Sequence, residues 1–159
     1  MTVRDADPTD VEPLADLWWS GWRDGHAAIL PPELARHRTL DSFRARIEKA
    51  RPDVRVMGPR GAPVAFHLIK GDELNQFYVS AAARGTGVAA ELMADAEAQF
   101  RTRGVDPAWL ACAIGNDRAA RFYEKAGWRR TGVEDVPTET ADGPFPLKVW
   151  RYEKRLPRP

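Results

Sequence analysis

Two hydrophobic periods alternate along this 159-residue chain. Between residues 54 and 79, apolar residues fall in short extended runs: Val54-Arg-Val-Met57, Pro63 to Lys70, and Leu74 to Val79. Gly58-Pro-Arg-Gly61 and Gly71-Asp72 separate them, so tight turns join three short strands into an antiparallel meander. Upstream, Thr2 to Ala6 suits a short edge strand. The spacing then becomes helical, with Val11, Leu14, Leu17/Trp18 and Gly21/Trp22 on one stripe. Thr9 and Glu12 have the spacing of a capping box, with Pro13 in the permissive first turn. Pro31-Pro32-Glu33 can open a second helix through Leu34, and Leu40, Phe43 and Ile47 mark a third that Pro52 ends.

The second half repeats the alternation. Val88, Leu92, Met93, Ala96 and Phe100 predict a helix from Gly87 to about Arg103, closed by Gly104. Trp109 to Ala113 is a short strand. Asn116 is a good N-cap for a helix ending at Gly127. Trp128 to Val133 starts another strand, and Leu147 to Glu153 is the last. Pro137, Asp142-Gly143-Pro144 and Pro146 predict a loop over residues 134–146, and the tail Arg155-Leu-Pro-Arg-Pro is expected to fray. The order gives a mixed α/β sheet in a single domain.

The stretch from Glu73 to Ala89 carries the first chemistry. A strand delivers the chain to Arg84-Gly85-Thr86-Gly87, and this loop runs straight into a helix start. The first amides of that helix lack intrahelical partners and sit at the positive end of its dipole, which suits a phosphate. Gly85 and Gly87 tolerate positive φ and let amides approach an anion. Taken alone, the loop fits either a phosphate site or a plain strand-to-helix turn. It is not a Walker loop, because no Gly-Lys-Ser/Thr follows. The dinucleotide fingerprint fails for want of a third glycine.

Composition narrows the class. Hydrophobic content of 43% and charged content of 30% are those of a soluble globular protein. A formal charge of +1 gives no global reason to expect nucleic acid, membrane or an acidic partner. The lone Cys112 cannot form an internal disulfide, so a cytoplasmic location is expected. No apolar run is long enough to span a bilayer, and Met1-Thr-Val-Arg-Asp lacks signal-peptide character.

Arg84-x-x-Gly87-x-Ala89 after a strand ending in Val79 resembles the acyl-CoA-binding motif of the GCN5-related N-acetyltransferases. Asn116-Asp-Arg-Ala-Ala-Arg-Phe-Tyr123-Glu-Lys-Ala-Gly127-Trp128 is similar to the family's Asn-x-x-Ala-x-x-Phe-Tyr-x-x-x-Gly-Phe helix. The motifs stand in the family's order and spacing, and the elements match over nearly the whole chain. The resemblance implies a mixed, mostly antiparallel sheet of six or seven strands with about four helices. That sheet is splayed between its fourth and fifth strands, where acyl-CoA enters.

The same resemblance assigns residues. Backbone groups of Phe77, Tyr78 and Val79 would bind the pantetheine arm as an added strand, with the Phe77 amide facing the acetyl oxygen. Arg84, Gly85, Thr86, Gly87, Val88 and Ala89 would take the pyrophosphate, and Asn116 would meet the CoA arm. Tyr123 would contact the cofactor and act as general acid, since a phenol of pKa ~10 keeps its proton at neutral pH. Its bland alternative is a half-buried aromatic beside Phe122.

The base is open. Some family members carry a glutamate where this chain has Ala111, and that assignment does not transfer. Glu73, six residues before Val79, matches another family position and could act through an ordered water. It could equally be a polar residue closing the Gly71-Asp72 turn. Gln76, His67 and His26 are reserves, and Cys112 reads as core.

Trp18, Trp19 and Trp22 fit either a core stripe with one ring spilling over or an indole lining a substrate cleft. Trp22, His26 and Gln76 are therefore the acceptor-site candidates. Arginines between Arg36 and Arg55 are expected to form a solvated face.

The function so implied is acetyl transfer from acetyl-CoA, a co-substrate, to a primary amine by direct attack through a tetrahedral intermediate, without a metal. The acceptor would be a small-molecule amine, a protein N-terminus or a lysine, bound by the N-terminal helices and residues 134–146. A different class is a non-catalytic acyl-CoA sensor or interaction module, and a nucleotide-binding phosphotransferase is a weaker third. Oligomeric state, homodimer included, is left open.

Overall fold

The computed structural model describes residues 1–158. Seven strands form one sheet: β1 (Val3–Asp5), β2 (Val54–Met57), β3 (Ala65–Lys70), β4 (Glu73–Val79), β5 (Ala108–Ala113), β6 (Arg129–Thr140) and β7 (Gly143–Lys154). Their order across the sheet is β1-β2-β3-β4-β5-β7-β6. All neighbours are antiparallel except β4 and β5, which are parallel and joined in register only at Glu73↔Trp109. The Trp109 amide donates to the Asp72 carbonyl at 3.0 Å, pinning this apex. Beyond it the two strands diverge, because β4 must carry its chain to α4 (Val88–Thr102) on one side of the gap and β5 to α5 (Asp117–Lys125) on the other. The splay expected between the fourth and fifth strands is present.

Helices cover both faces. Strands β2 and β3 bury Val54, Val56, Phe66 and Leu68 against Leu14, Trp18 and Trp22 of α1 (Val11–His26) and Phe43 and Ile47 of α3 (Leu40–Ala50). On the other face Met93, Ala96 and Phe100 of α4 pack with Leu110, Trp128 and Tyr152. A single-turn helix, α2 (Pro32–Ala35), lies between α1 and α3.

Three local expectations change, and the open choice among the tryptophans resolves. Helix α1 is preceded by a 3-10 turn, Pro8–Asp10, and it is Asp7 that caps it, with Asp10 closing the capping box, not Thr9 with Glu12. Asp10 wins because its carboxylate also gathers Arg4 (2.8 and 3.1 Å) and the Gly61 amide (2.9 Å), tying the helix start to β1 and the β2–β3 turn. Residues 134–146 are not a loop but the outer half of a long β6–β7 hairpin, paired through Val136↔Leu147 to Thr140↔Gly143. The tail is not frayed over its described residues: Leu156 is 1% exposed in the core, and its amide donates to Asp106 at 2.7 Å. Pro159 lies outside the described residues. Finally, Trp19 is the ring that spills over, lying 3.9 Å beneath the Arg23 guanidinium, while Trp18 and Trp22 are buried.

Gly21 sets the approach of α1 to β4. A Cβ there would lie 2.5 Å from Tyr78 Cδ1, and the Tyr78 ring is held by Phe66 (5.7 Å between centroids) and Trp18 (6.5 Å). Alanine gains at most about 1 kcal/mol of helix propensity. Overpacking a fixed ring costs about 1–3 kcal/mol. Gly21→Ala is therefore expected to lower stability by up to about 2 kcal/mol in urea unfolding, the difference of those terms.

Candidate active site

The divergence of β4 from β5 opens a cavity of about 680 Å³ that runs through the splay. β4 gives it Glu73, Gln76, Phe77, Tyr78 and Val79, and β5 gives Ala111 and Cys112. From α5 and its cap come Asn116 and Tyr123. Helix α1 roofs it with Trp18, Trp22 and His26, and the hairpin adds Val136, Thr138 and Glu139. Of the residues named from sequence, Glu73, Gln76, Phe77, Tyr78, Val79, Arg84, Gly85, Ala89, Asn116, Tyr123, Trp22 and His26 all line this one space. Thr86, Gly87 and Val88 lie just outside it, at the start of α4.

That start is shaped for an anion. Gly85 and Gly87 have φ of +75° and +88°, and Gly87 is the N-cap of α4 without any side-chain cap. The first helical bond is Glu91 N–H to the Gly87 carbonyl, so the preceding amides have no helical acceptor. Nothing lies within 4 Å of a Cβ built on either glycine. Backbone conformation, not crowding, requires glycine here. Arg84 and Arg118 both reach Asp24 of α1, Arg118 at 3.1 Å, closing a polar bridge across the mouth of the cavity.

Deeper in, the groups become apolar. Phe77 stacks on Phe122 with centroids 5.4 Å apart, and Tyr123 packs edge-on to Phe77 and near Tyr152. Burial drives the Tyr123 phenol well above its ordinary range, and it makes no hydrogen bond to another described residue. The group holds its proton and has a free O–H to donate. Asn116 caps α5 by accepting from the Ala119 amide at 3.4 Å. Glu73 has its pKa raised, chiefly by burial, against the Asn75 side chain that donates to it at 3.1 Å.

Two reserve bases separate. His26 lines the cavity, stacked 6.1 Å from Trp22, and burial lowers it to about 4, so it is neutral at physiological pH. His67 does not line the cavity: it is 1% exposed beneath α4, with Nε2 2.8 Å from Asp95, which Arg55 also holds. Residue 67 points away because it alternates with Phe66 and Leu68, which face α1 and α3. Cys112 is buried and its thiol is raised to about 12, chiefly by desolvation, which leaves it an inert core group.

Sequence reasoning missed Arg38 and Arg46. Both were expected on a solvated face; both line the cavity instead. Arg38 is 7% exposed and donates to the Glu139 carbonyl at 2.7 Å, while Arg46 lies 4.2 Å over the Trp18 ring.

A sheet splayed between parallel central strands, with a glycine loop opening a helix at one mouth, defines an acyltransferase-type fold. The family model described as acetyltransferase (GNAT) matches residues 14–128, and the chain belongs to that family. Uncharacterized N-acetyltransferases of Mycobacterium bovis and Mycobacterium tuberculosis are 37% identical over 98 residues. The match spans 59% of this chain and 59% of each relative. Among solved structures, a GCN5-related N-acetyltransferase from Rhodopseudomonas palustris has a TM-score of 0.74 at 20% identity, covering 98% of this chain and 95% of its own. The PaiA N-acetyltransferase of Thermoplasma acidophilum, solved in complex with coenzyme A, has a TM-score of 0.65 at 16% identity over 96% and 97%. Among the described residues, no helix is long and apolar enough to cross a membrane.

Proposed function

We propose that the protein transfers an acetyl group from acetyl-CoA to a primary amine by direct attack. The observation that carries this reading is the cavity that joins an uncapped α4 start, an unpaired β4 edge and a protonated buried phenol. The coenzyme A in the Thermoplasma structure supports the same ligand class here. The residues fit it: amides of 85–89 suit a pyrophosphate, and the free edge of Phe77 to Val79 suits an amide-bearing arm. When bound, the thioester supplies an activated acyl group and a thiol leaving group.

The chain's own residues do the rest. The Phe77 amide donates to the acyl oxygen as its charge grows. Tyr123 gives its proton to the departing thiolate, and its raised pKa keeps that proton available across the working range. Glu73 takes a proton from the amine through water, and Gln76, Trp22 and His26 flank the acceptor. A lone buried thiol fits the reducing cytoplasm expected for such an enzyme.

Thiol release from acetyl-CoA in the presence of an amine panel tests the reading, with turnover on at least one amine expected. Tight CoA binding with no turnover on any amine would favour a non-catalytic CoA-binding module, a reading supported by Ala111 in the wall of the cavity. Glu73 makes the pH dependence specific. Its raised pKa places the acidic limb of kcat/KM above the ordinary glutamate value of about 4.3, with activity rising as pH passes through it. Glu73→Gln is expected to lower kcat about three- to tenfold and to remove that limb.

A further inference from the structure

The acceptor end of the cavity holds two guanidinium groups that no carboxylate pairs directly among the described residues. Arg38 is 7% exposed, and its guanidinium makes one hydrogen bond among the described residues, the 2.7 Å bond to the Glu139 carbonyl. The Arg46 guanidinium makes no hydrogen bond to a described residue and lies over Trp18 and Phe43, 4.2 and 5.6 Å from the ring centroids. Neither arginine forms an ion pair among the described residues. The nearest acid is Glu139, half exposed and 3.9 Å from Lys49; its carboxylate acts on both guanidiniums only through space, and Asp142 lies 3.5 Å from His37. Glu73 has Lys70, Asp72 and Arg151 as its charged neighbours and not this pair.

Two further titratable groups of the cavity wall are neutral. Tyr78 is held protonated, raised to about 12 chiefly by burial, and His26 is held unprotonated. Burial, and then Arg38, lower Arg46 to about 10, which still leaves both guanidiniums charged at neutral pH. Two neighbouring like charges, Arg38 buried and Arg46 half-buried, are unfavourable without an ion-pair partner, and buried charge is ordinarily paired. Leu30, Leu34 and Trp22 line the same cavity as the pair.

We infer that the acceptor amine carries an oxyanion group, a carboxylate or a phosphate, that Arg38 and Arg46 bind together. The site is built on the loop between α2 and α3, on α3 itself and on the hairpin arm, which the Arg38 bond to Glu139 straps over it. Guanidinium forks match either oxyanion with paired N–H donors. The same pair repels a cationic acceptor, which removes polyamine-like amines and lysine-rich tails from consideration. This substrate class rests on the acyltransferase reading above, but the anion site can be tested apart from it.

The test uses primary amines matched except for one end: carboxylate, phosphonate, carboxamide or ammonium. One of the two anionic amines is expected to exceed the carboxamide in kcat/KM at least about tenfold, and which one does so identifies the oxyanion. Arg38→Gln and Arg46→Gln should each remove about tenfold of that advantage, mainly through KM, without changing CoA affinity. Arg46→Lys should keep part of it. Equal or better use of the carboxamide or ammonium amine would overturn the inference, as would a preference unchanged in the two glutamine variants. Calorimetry separates the two ideas. If no amine releases thiol yet anionic amines bind and Arg46→Gln abolishes binding, the transfer reading falls and the anion site stands. If anionic amines neither react nor bind, the anion site falls.

Discussion

Gly87→Glu is expected to abolish acyl-CoA binding, weakening Kd at least about a hundredfold by calorimetry. Two effects add. Gly87 has φ of +88°, a conformation that costs a residue with a Cβ about 1–2 kcal/mol. The new carboxylate stands at the start of α4, where the amides await a phosphate, so it places like charge against the ligand. A control divides the terms: Gly87→Ala carries the strain without the charge and should weaken binding only about tenfold. Nothing lies within 4 Å of the added Cβ, so neither variant has a packing reason to unfold. A glutamate variant that bound CoA as well as the parent would remove the phosphate role of this loop.

Tyr123→Phe is expected to lower kcat at least about tenfold while CoA affinity is nearly kept. The ring is fixed by Phe77, Phe122 and Tyr152, with centroids at 6.4, 5.6 and 6.1 Å, and phenylalanine preserves those contacts. Only the O–H is lost, and it bonds to no other described residue. The loss therefore falls on the leaving group and not on the fold. Chemistry separates this effect from a general one: an acyl donor with a lower thiol pKa needs less proton donation, so it should be affected less. An unchanged rate on acetyl-CoA would strip Tyr123 of its role.

Where local pattern and tertiary demand agree, the sequence was a good guide. Leu74 to Val79, Gly85, Gly87 and the Val88–Phe100 stripe each specify their own conformation, and strand, positive-φ loop and helix all form where their residue types suggest. Asn116 likewise caps α5 as its type suggests. The β6–β7 hairpin was illegible because Pro137, Pro144 and Pro146 read as breakers. They are tolerated because β6 is the sheet edge, and β7 pairs with β5 only from Val149 onward. A proline there has an outward side with no ladder bond to lose.

The two cavity arginines were hidden by a different conflict. A run of charge suggested a wet face, yet Arg46 follows Phe43 by three residues and precedes Ile47, so the helical period puts it on the apolar stripe. Periodicity was the better signal there. Position on a stripe still does not say whether a stripe meets core or cavity, and only the splay of β4 from β5 decides that. Arg38 and the tail residue Leu156 have no periodic neighbours to place them, and long-range contacts with Glu139 and Asp106 hold them.

A crystal structure with acetyl-CoA bound tests the central claim most directly. The pyrophosphate is expected on the amides of residues 85–89, the acyl oxygen within hydrogen-bond distance of the Phe77 amide, and the sulfur within reach of the Tyr123 hydroxyl. Acetyl-CoA bound outside the β4–β5 splay, or a splay closed against it, would contradict the account.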